Sequence, residues 1–145
     1  MMLLLDTNIL SAMMRPDPAP VLATWIAAQP LETLFTAAIC QAEILAGLAI
    51  MPLGRRRHAL EAAAHAMFQE DFADRILPFD TAAARTYADH FAARRQSRRQ
   101  SGRPCAMPDL MIAAIAGAHS ATVVTRDSGG FAGCGLTVID PWSPP

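Results

Sequence analysis

Residues 1–10 read MMLLLDTNIL, and the junction at Asp6 decides what kind of fold follows. A short apolar run, Met2 to Leu5, bounded by polar residues has the pattern of a buried strand, while Ile9, Leu10 and Met13 resume with helical spacing. Asp6 therefore stands where a central strand hands over to a helix. An ionised carboxylate near a core is costly unless something pairs with it. The placement of Asp6 thus asks for a partner.

The alternation continues outward from this junction. The helix after Asp6 ends before Pro16, and Pro20 to Gln29 form a second. LETLFTA (31–37) reads as a strand, followed by an apolar helix through ICQAEILAGLAI (39–50). A longer helix runs from about Arg55 to Asp74. RILPF (75–79) is a short strand, and Asp80 caps a helix reaching toward Gln100. SGRPCAMP (101–108) is a loop, and DLMIAAIAGAHS (109–120) a helix. ATVVTRD (121–127) is a buried strand, SGGFAGCG (128–135) a Gly-rich loop, LTVID (136–140) a last strand and PWSPP an irregular tail. Strands separated by helices imply right-handed crossovers and a mostly parallel sheet covered on both faces. Sites in such α/β sheets form beyond the carboxyl ends of the strands, where the strand order switches. Asp6 and Asp127 each follow an apolar strand and are candidates to meet there.

With 145 residues, the chain suits one domain with a core of about 2–141. The formal net charge of −1 provides no overall field toward nucleic acid or membrane. The opening apolar run has no basic flank and is too short for a signal peptide. Ile44 to Leu53 is too short to span a bilayer. Cys40, Cys105 and Cys134 are odd in number, widely spaced and without zinc spacing, which suits a reducing compartment. The expectation is a soluble cytoplasmic protein.

Of the thirteen acids, nine have polar or turn neighbours. Asp6, Glu43, Asp109 and Asp127 are crowded by apolar residues. Glu43 has only Gln41 for polar company, in a helix whose apolar arc runs nearly all the way round, so it is expected to point somewhere enclosed. Each acid also has an ordinary explanation. Asp6 can cap a helix, Glu43 can share a solvent stripe with Gln41, and Asp127 can be a turn residue before glycines. Asp109, after Pro108, can sit in a first helical turn where the dipole favours an anion. Together, however, they describe one acidic pocket. Two carboxylates at ~4 Å repel by ~4 kcal/mol at an effective dielectric near 20, so four need bound protons or a cation. Hard divalent ions accept carboxylate oxygens and bridge to phosphates.

LLLDTNILS, the lone glutamate of ICQAEILAG, PDLMIAAIA and VVTRDSGGF, in that order, closely resemble the signature segments of the PIN-domain ribonucleases, and among them the VapC/FitB-type toxins of bacterial toxin–antitoxin pairs. The resemblance spans Leu3 to about Pro141. It implies a single PIN-like domain, a parallel five-stranded sheet between helices, and an acidic quartet falling on Asp6, Glu43, Asp109 and Asp127. Thr7, Asn8 and Thr125 match the family's neighbouring hydroxyls and amide, which would orient carboxylates or waters. The implied activity is endoribonucleolytic hydrolysis with one or two Mg2+ or Mn2+ ions. Asp6 and Asp109 would be direct ligands, while Glu43 would bind metal or take a proton from water. The fourth position is Asp in some members and Asn in others, so the role of Asp127 is less fixed by the resemblance.

RRQSRRQSGR (94–103) carries five arginines and no acid. On a helix Arg94 with Arg98, and Arg95 with Arg99, share a face that can meet RNA phosphates or simply solvate a helix end. Arg55 and Arg56, in GRRRH (54–58), oppose a helix dipole and mildly favour an external anion. The resemblance further implies a homodimer and an antitoxin whose tail enters the acidic pocket. A catalytically silent PIN-fold RNA-binding or scaffold protein is the competing reading, disfavoured by the presence of all four acids. A receiver-like module is poorer, since the chain has no lysine.

Overall fold

The computed structural model describes residues 1–101 and 107–143, with side chains omitted for 97–101. The element order is β1 (Leu3–Leu5), α1 (Thr7–Met13), α2 (Pro20–Ala27), β2 (Leu34–Ala37), α3 (Ala38–Ala49), α4 (Arg55–Ala66), β3 (Ile76–Leu77), α5 (Thr81–Ser101), α6 (Met107–Ala118), β4 (Thr122–Val124) and β5 (Val138–Ile139). The five strands form one sheet in the order β3-β2-β1-β4-β5, with every pairing parallel. This is the expected α/β architecture. β1 occupies the centre, and all three of its leucines are buried, as expected of a parallel strand covered on both faces. The chain moves from β1 to β2 on one side and later to β4 on the other, so the order switches between β1 and β4.

Several differences from the sequence expectations are local. In LETLFTA only the second half is strand. Leu31–Thr33 form a 3-10 turn, in which the Thr33 hydroxyl donates to Pro30 O at 2.7 Å and the Arg75 guanidinium donates to Leu31 O. The helix expected over 55–74 is α-helical only to Ala66. It then widens into a π-turn over Met67–Asp71, closed by the Phe72 amide on Met67 O, and ends at Asp74, whose φ is +61°. RILPF contributes only Ile76 and Leu77 as strand, because Pro78 has no N–H for a further ladder bond. The Gly-rich segment contains a 3-10 turn at Ser128–Phe131. Asp80 caps α5 as expected, Oδ1 accepting from the Ala83 amide at 3.0 Å. The loop expected over 101–108 lies largely outside the described residues, as does Cys105.

α6 is the central covering helix. Leu110, Ile112, Ala113, Ala114, Ile115 and Ala116 are all buried. α5 packs against it in the opposite direction. A Cβ on Gly117 would stand 2.9 Å from Thr86 Cγ2 and 3.2 Å from His90 Cε1, so the two helices approach through this glycine. The antiparallel course brings the other end of α5 toward the start of α6, beside the carboxyl edge of the sheet. Among the described residues no helix is long and apolar enough to cross a membrane.

Candidate active site

β1 and β4 both deliver polar groups to the switch point. After Leu5 the backbone of Asp6 is still extended, and its Oδ1 accepts from the Thr7 amide at 2.7 Å, which makes Asp6 the N-cap of α1. Its other oxygen faces β4. Oδ2 accepts the hydroxyl of the fully buried Thr125 at 2.8 Å. Thr125 Oγ1 in turn accepts from Asn8 Nδ2 and from the Asp127 amide, each at 3.0 Å. Asn8 Oδ1 accepts the Arg126 amide at 3.3 Å. One threonine and one asparagine thus fasten the ends of β1 and β4 together around Asp6. The capping role and the cluster role coexist, one on each carboxylate oxygen.

Asp6 is only 5% exposed. Burial is the main reason its carboxyl pKa is raised. Bonds from Thr125 and Thr7 oppose the rise, and the charges of Glu43 and Asp127 add to it. Behind it Cys40 is buried, its thiol pushed up to about 12 chiefly by desolvation, which leaves it a protonated wall residue. Asp109 sits half-buried in the first turn of α6. Desolvation first, then the charges of Asp6, Asp127 and Glu43, raise its carboxyl to about 6, against the lowering influence of Arg94. The charges of Glu43 and Asp127 thus bear on both Asp6 and Asp109, and that of Asp6 on Asp109.

The degree of burial differs from expectation. Only Asp6 is buried, while Glu43 and Asp127 are exposed at the rim. The enclosed position expected for Glu43 is wrong because α3 buries a single stripe, Cys40, Ile44 and Leu48, and leaves Leu45 49% exposed. Glu43 is nonetheless held: its Oε1 accepts the Thr7 hydroxyl at 2.8 Å. Thr7, Asn8 and Thr125 are thus all bonded to, or through, the acids they were expected to orient.

Gly130 shapes the opposite wall. A Cβ there would lie 2.9 Å from Asp109 Oδ2 and 3.4 Å from Asp127 Oδ2, so these two oxygens flank one point that only a glycine leaves open. The motif TRDSGGF gives no hint of this, since nothing in it singles out the second glycine. Arg94 also differs from the stripe expected for it. Half-buried, it turns inward, donates from Nη1 to Ala132 O at 2.6 Å, and bears on Asp109. Arg95 is exposed on the same helix, whereas the side chains of Arg98 and Arg99 lie outside the described residues. Arg55 and Arg56 are exposed at the start of α4. α3 leaves the carboxyl end of β2 and runs twelve residues, ~18 Å, before that turn. The two arginines therefore stand at the far end of the fold and do not join the acidic cleft.

The donor set is entirely hard oxygen, which suits Mg2+, Mn2+ or Ca2+, and the raised carboxyls show charge that a cation would relieve. Among the described residues no three acidic, histidine or cysteine side chains converge as they stand on one ion. Coordination by three acids would therefore require the exposed carboxylates of Glu43 or Asp127 to swing inward, which the open rim permits.

With this geometry in view, comparison with known proteins gives a consistent answer. The family model described as "PIN domain" matches residues 3–133. The chain is 41% identical over 143 residues to the VapC ribonuclease Y4jK of Sinorhizobium fredii, covering 99% of each. It is 37% identical over 141 residues to the toxin FitB of Neisseria gonorrhoeae, covering 97% of this chain and 99% of that one. Among solved structures, FitAB bound to an IR36 DNA fragment contains a chain that superposes with a TM-score of 0.84 at 36% identity, with 99% of this chain and 98% of that chain covered.

Proposed function

The chain belongs to the PIN-domain family, and on that footing we propose that it is a metal-dependent endoribonuclease serving as the toxin of a cytoplasmic toxin–antitoxin pair. The observation that carries this reading is the gathering of Asp6, Glu43, Asp109 and Asp127 at the strand-order switch, with the first and third carboxyls raised by burial and by the others. A ribonuclease and a toxin among close relatives agree with it.

Asp6 and Asp109 are the residues to hold Mg2+ or Mn2+, with Asp127 facing Asp109 beside Gly130 and Glu43 across the cleft. A divalent ion bound there would lower the pKa of a water and offset charge on the scissile phosphate. The chain's own groups do the rest. Thr125 and the Thr7 amide fix both oxygens of Asp6, so this carboxylate cannot rotate out of register. Glu43, accessible to solvent and steadied by Thr7, takes the proton of the attacking water. The water oxygen then bonds to phosphorus, the bond from phosphorus to the departing ribose oxygen breaks, and that oxygen gains a proton from solvent.

An antitoxin that presents cationic side chains to the open acidic rim would occupy the same carboxylates and silence the enzyme. The same reading has two copies of the chain pairing in the toxin–antitoxin assembly. The second reading, a silent PIN-fold RNA-binding or scaffold protein, draws on one observation, the lack of a three-acid convergence among the described residues. Incubation of purified protein with total bacterial RNA, under Mg2+, Mn2+ or EDTA and beside Asp6→Asn, separates the two. Discrete fragments that disappear with EDTA and in the variant support the nuclease. RNA left intact with both metals supports the silent protein.

A further inference from the structure

The acidic cleft must attract a polyanion, yet its own charges repel one. Arg94 is committed to Ala132 O and to the field around Asp109. Arg126 is placed differently. It lies between Thr125, which binds Asp6, and Asp127, and its amide is tied to Asn8. Its side chain is exposed, and no carboxylate pairs with it among the described residues. The guanidinium instead lies over the indole of Trp142, with Cζ 4.2 Å from the ring centroid.

Trp142 follows β5 as Arg126 follows β4, so both stand beyond the carboxyl edge of the sheet. Trp142 is itself held: its side chain is half-buried against the hydrophobic core, its backbone amide donates to Asp140 Oδ1 at 2.9 Å, the Ser143 amide donates to Asp140 O at 3.0 Å, and Pro141 is buried. An arginine stacked by one face on a fixed ring keeps its in-plane N–H groups free, in the fork that matches two phosphate oxygens. It loses less freedom on binding than a loose surface arginine would.

We propose that Arg126, braced on Trp142, is a binding site for a backbone phosphate of the RNA strand next to the one that is cut. This rests on the ribonuclease reading above and adds a strand-positioning contact to it. The bland alternative is that Arg126 only roofs the indole, in which case its aliphatic stem matters and its charge does not. Arg126→Met keeps the stem and removes the charge, and therefore separates the two.

The test is fluorescence anisotropy with a fluorescein-labelled random-sequence single-stranded RNA dodecamer in EDTA, over about 50 to 200 mM KCl. Wild type is compared with Arg126→Met, Arg126→Lys and Trp142→Leu, each checked by circular dichroism and melting temperature. Arg126→Met is expected to bind about tenfold more weakly and to flatten the dependence of log K on log salt by about 0.7. Arg126→Lys should keep the wild-type slope with a smaller loss of affinity, because it retains a charge without the fork. Trp142→Leu should also keep the slope but weaken binding. Unchanged affinity in a folded Arg126→Met, or weaker binding with an unchanged slope, overturns the proposal and leaves the nuclease intact. Should Arg126→Met fail to fold, wild-type affinity in Arg126→Lys overturns it. Failure of wild type to bind the RNA at all in EDTA also overturns the proposal, while the ribonuclease reading stands or falls on the cleavage assay with Mg2+ or Mn2+.

Discussion

α3 and α6 look alike in sequence: each is an apolar, alanine-rich helix of twelve residues that carries one acid of the cleft. In the fold they are opposites. α6 is buried almost all the way round and holds Asp109 half out of water at the head of its first turn. α3 buries every fourth residue, leaves Leu45 to solvent, and offers Glu43 from an open rim. The cleft therefore has one wall that is packed and electrostatically strained and another that is open and adjustable. That division suits a site in which some carboxylates must be waiting in place and others must move to meet a ligand.

The largest expected contrast is in packing. Ile115→Ala in α6 should cost roughly 2–5 kcal/mol in urea denaturation, while Leu45→Ala in α3 should stay within about 0.5 kcal/mol. Equal costs would mean that α3 is as enclosed as α6.

Electrostatics give the next contrast. The folded-state pKa of Asp109, about 6, lies above the ordinary carboxyl value of 3.8. The folded chain thus binds this proton more tightly than the unfolded chain and loses stability as pH rises from 3.8 through about 6. In EDTA at pH about 7.5, Asp109→Asn should therefore stabilise the protein by about 1 kcal/mol after allowance for solvent screening, or about 2–4 °C in melting temperature. The gain should vanish by pH about 3, where the wild-type carboxyl is protonated in both the folded and the unfolded state. Glu43→Gln should shift stability by less than about 0.5 kcal/mol. Both variants should nevertheless lose RNA cleavage, by about 100-fold or more for a direct metal ligand.

The smallest contrast is between two glycines. A Cβ on Gly47 of α3 meets nothing within 4 Å, so Gly47→Ala should stabilise by roughly 0.5–1 kcal/mol. A Cβ on Gly117 of α6 meets Thr86 at 2.9 Å, so Gly117→Ala should show no gain and a lower melting temperature. Thermal denaturation of the pair decides it.

Much of this was legible in the sequence. LLLD and VVTRD announce strands ending in an acid, because a parallel strand covered on both faces must be continuously apolar and its end is where polar groups can emerge. Pro108 before Asp109 and Asp80 before a polar-faced helix mark helix starts by local chemistry alone. Burial around α3 was not legible, since an all-round apolar helix gives no sign of whether anything stands opposite each face. The clefts made by distant segments were equally hidden. Gly130 matters because of where Asp109 arrives, and Arg126 meets Trp142 only because β4 and β5 are neighbours. The inward turn of Arg94 likewise depends on α5 lying antiparallel to α6, not on the arginine-rich run around it.

Titration calorimetry with Mn2+ decides whether Asp6 and Asp109 hold a divalent cation. At pH about 6, where Asp109 is partly protonated, the purified chain should bind Mn2+ saturably and release protons to the buffer. Asp6→Asn and Asp109→Asn should each weaken binding by about tenfold or more, and Asp109→Asn should also lose most of the proton release. Saturable binding of equal strength in all three proteins, or none in wild type, would rule out a cation site built on Asp6 and Asp109.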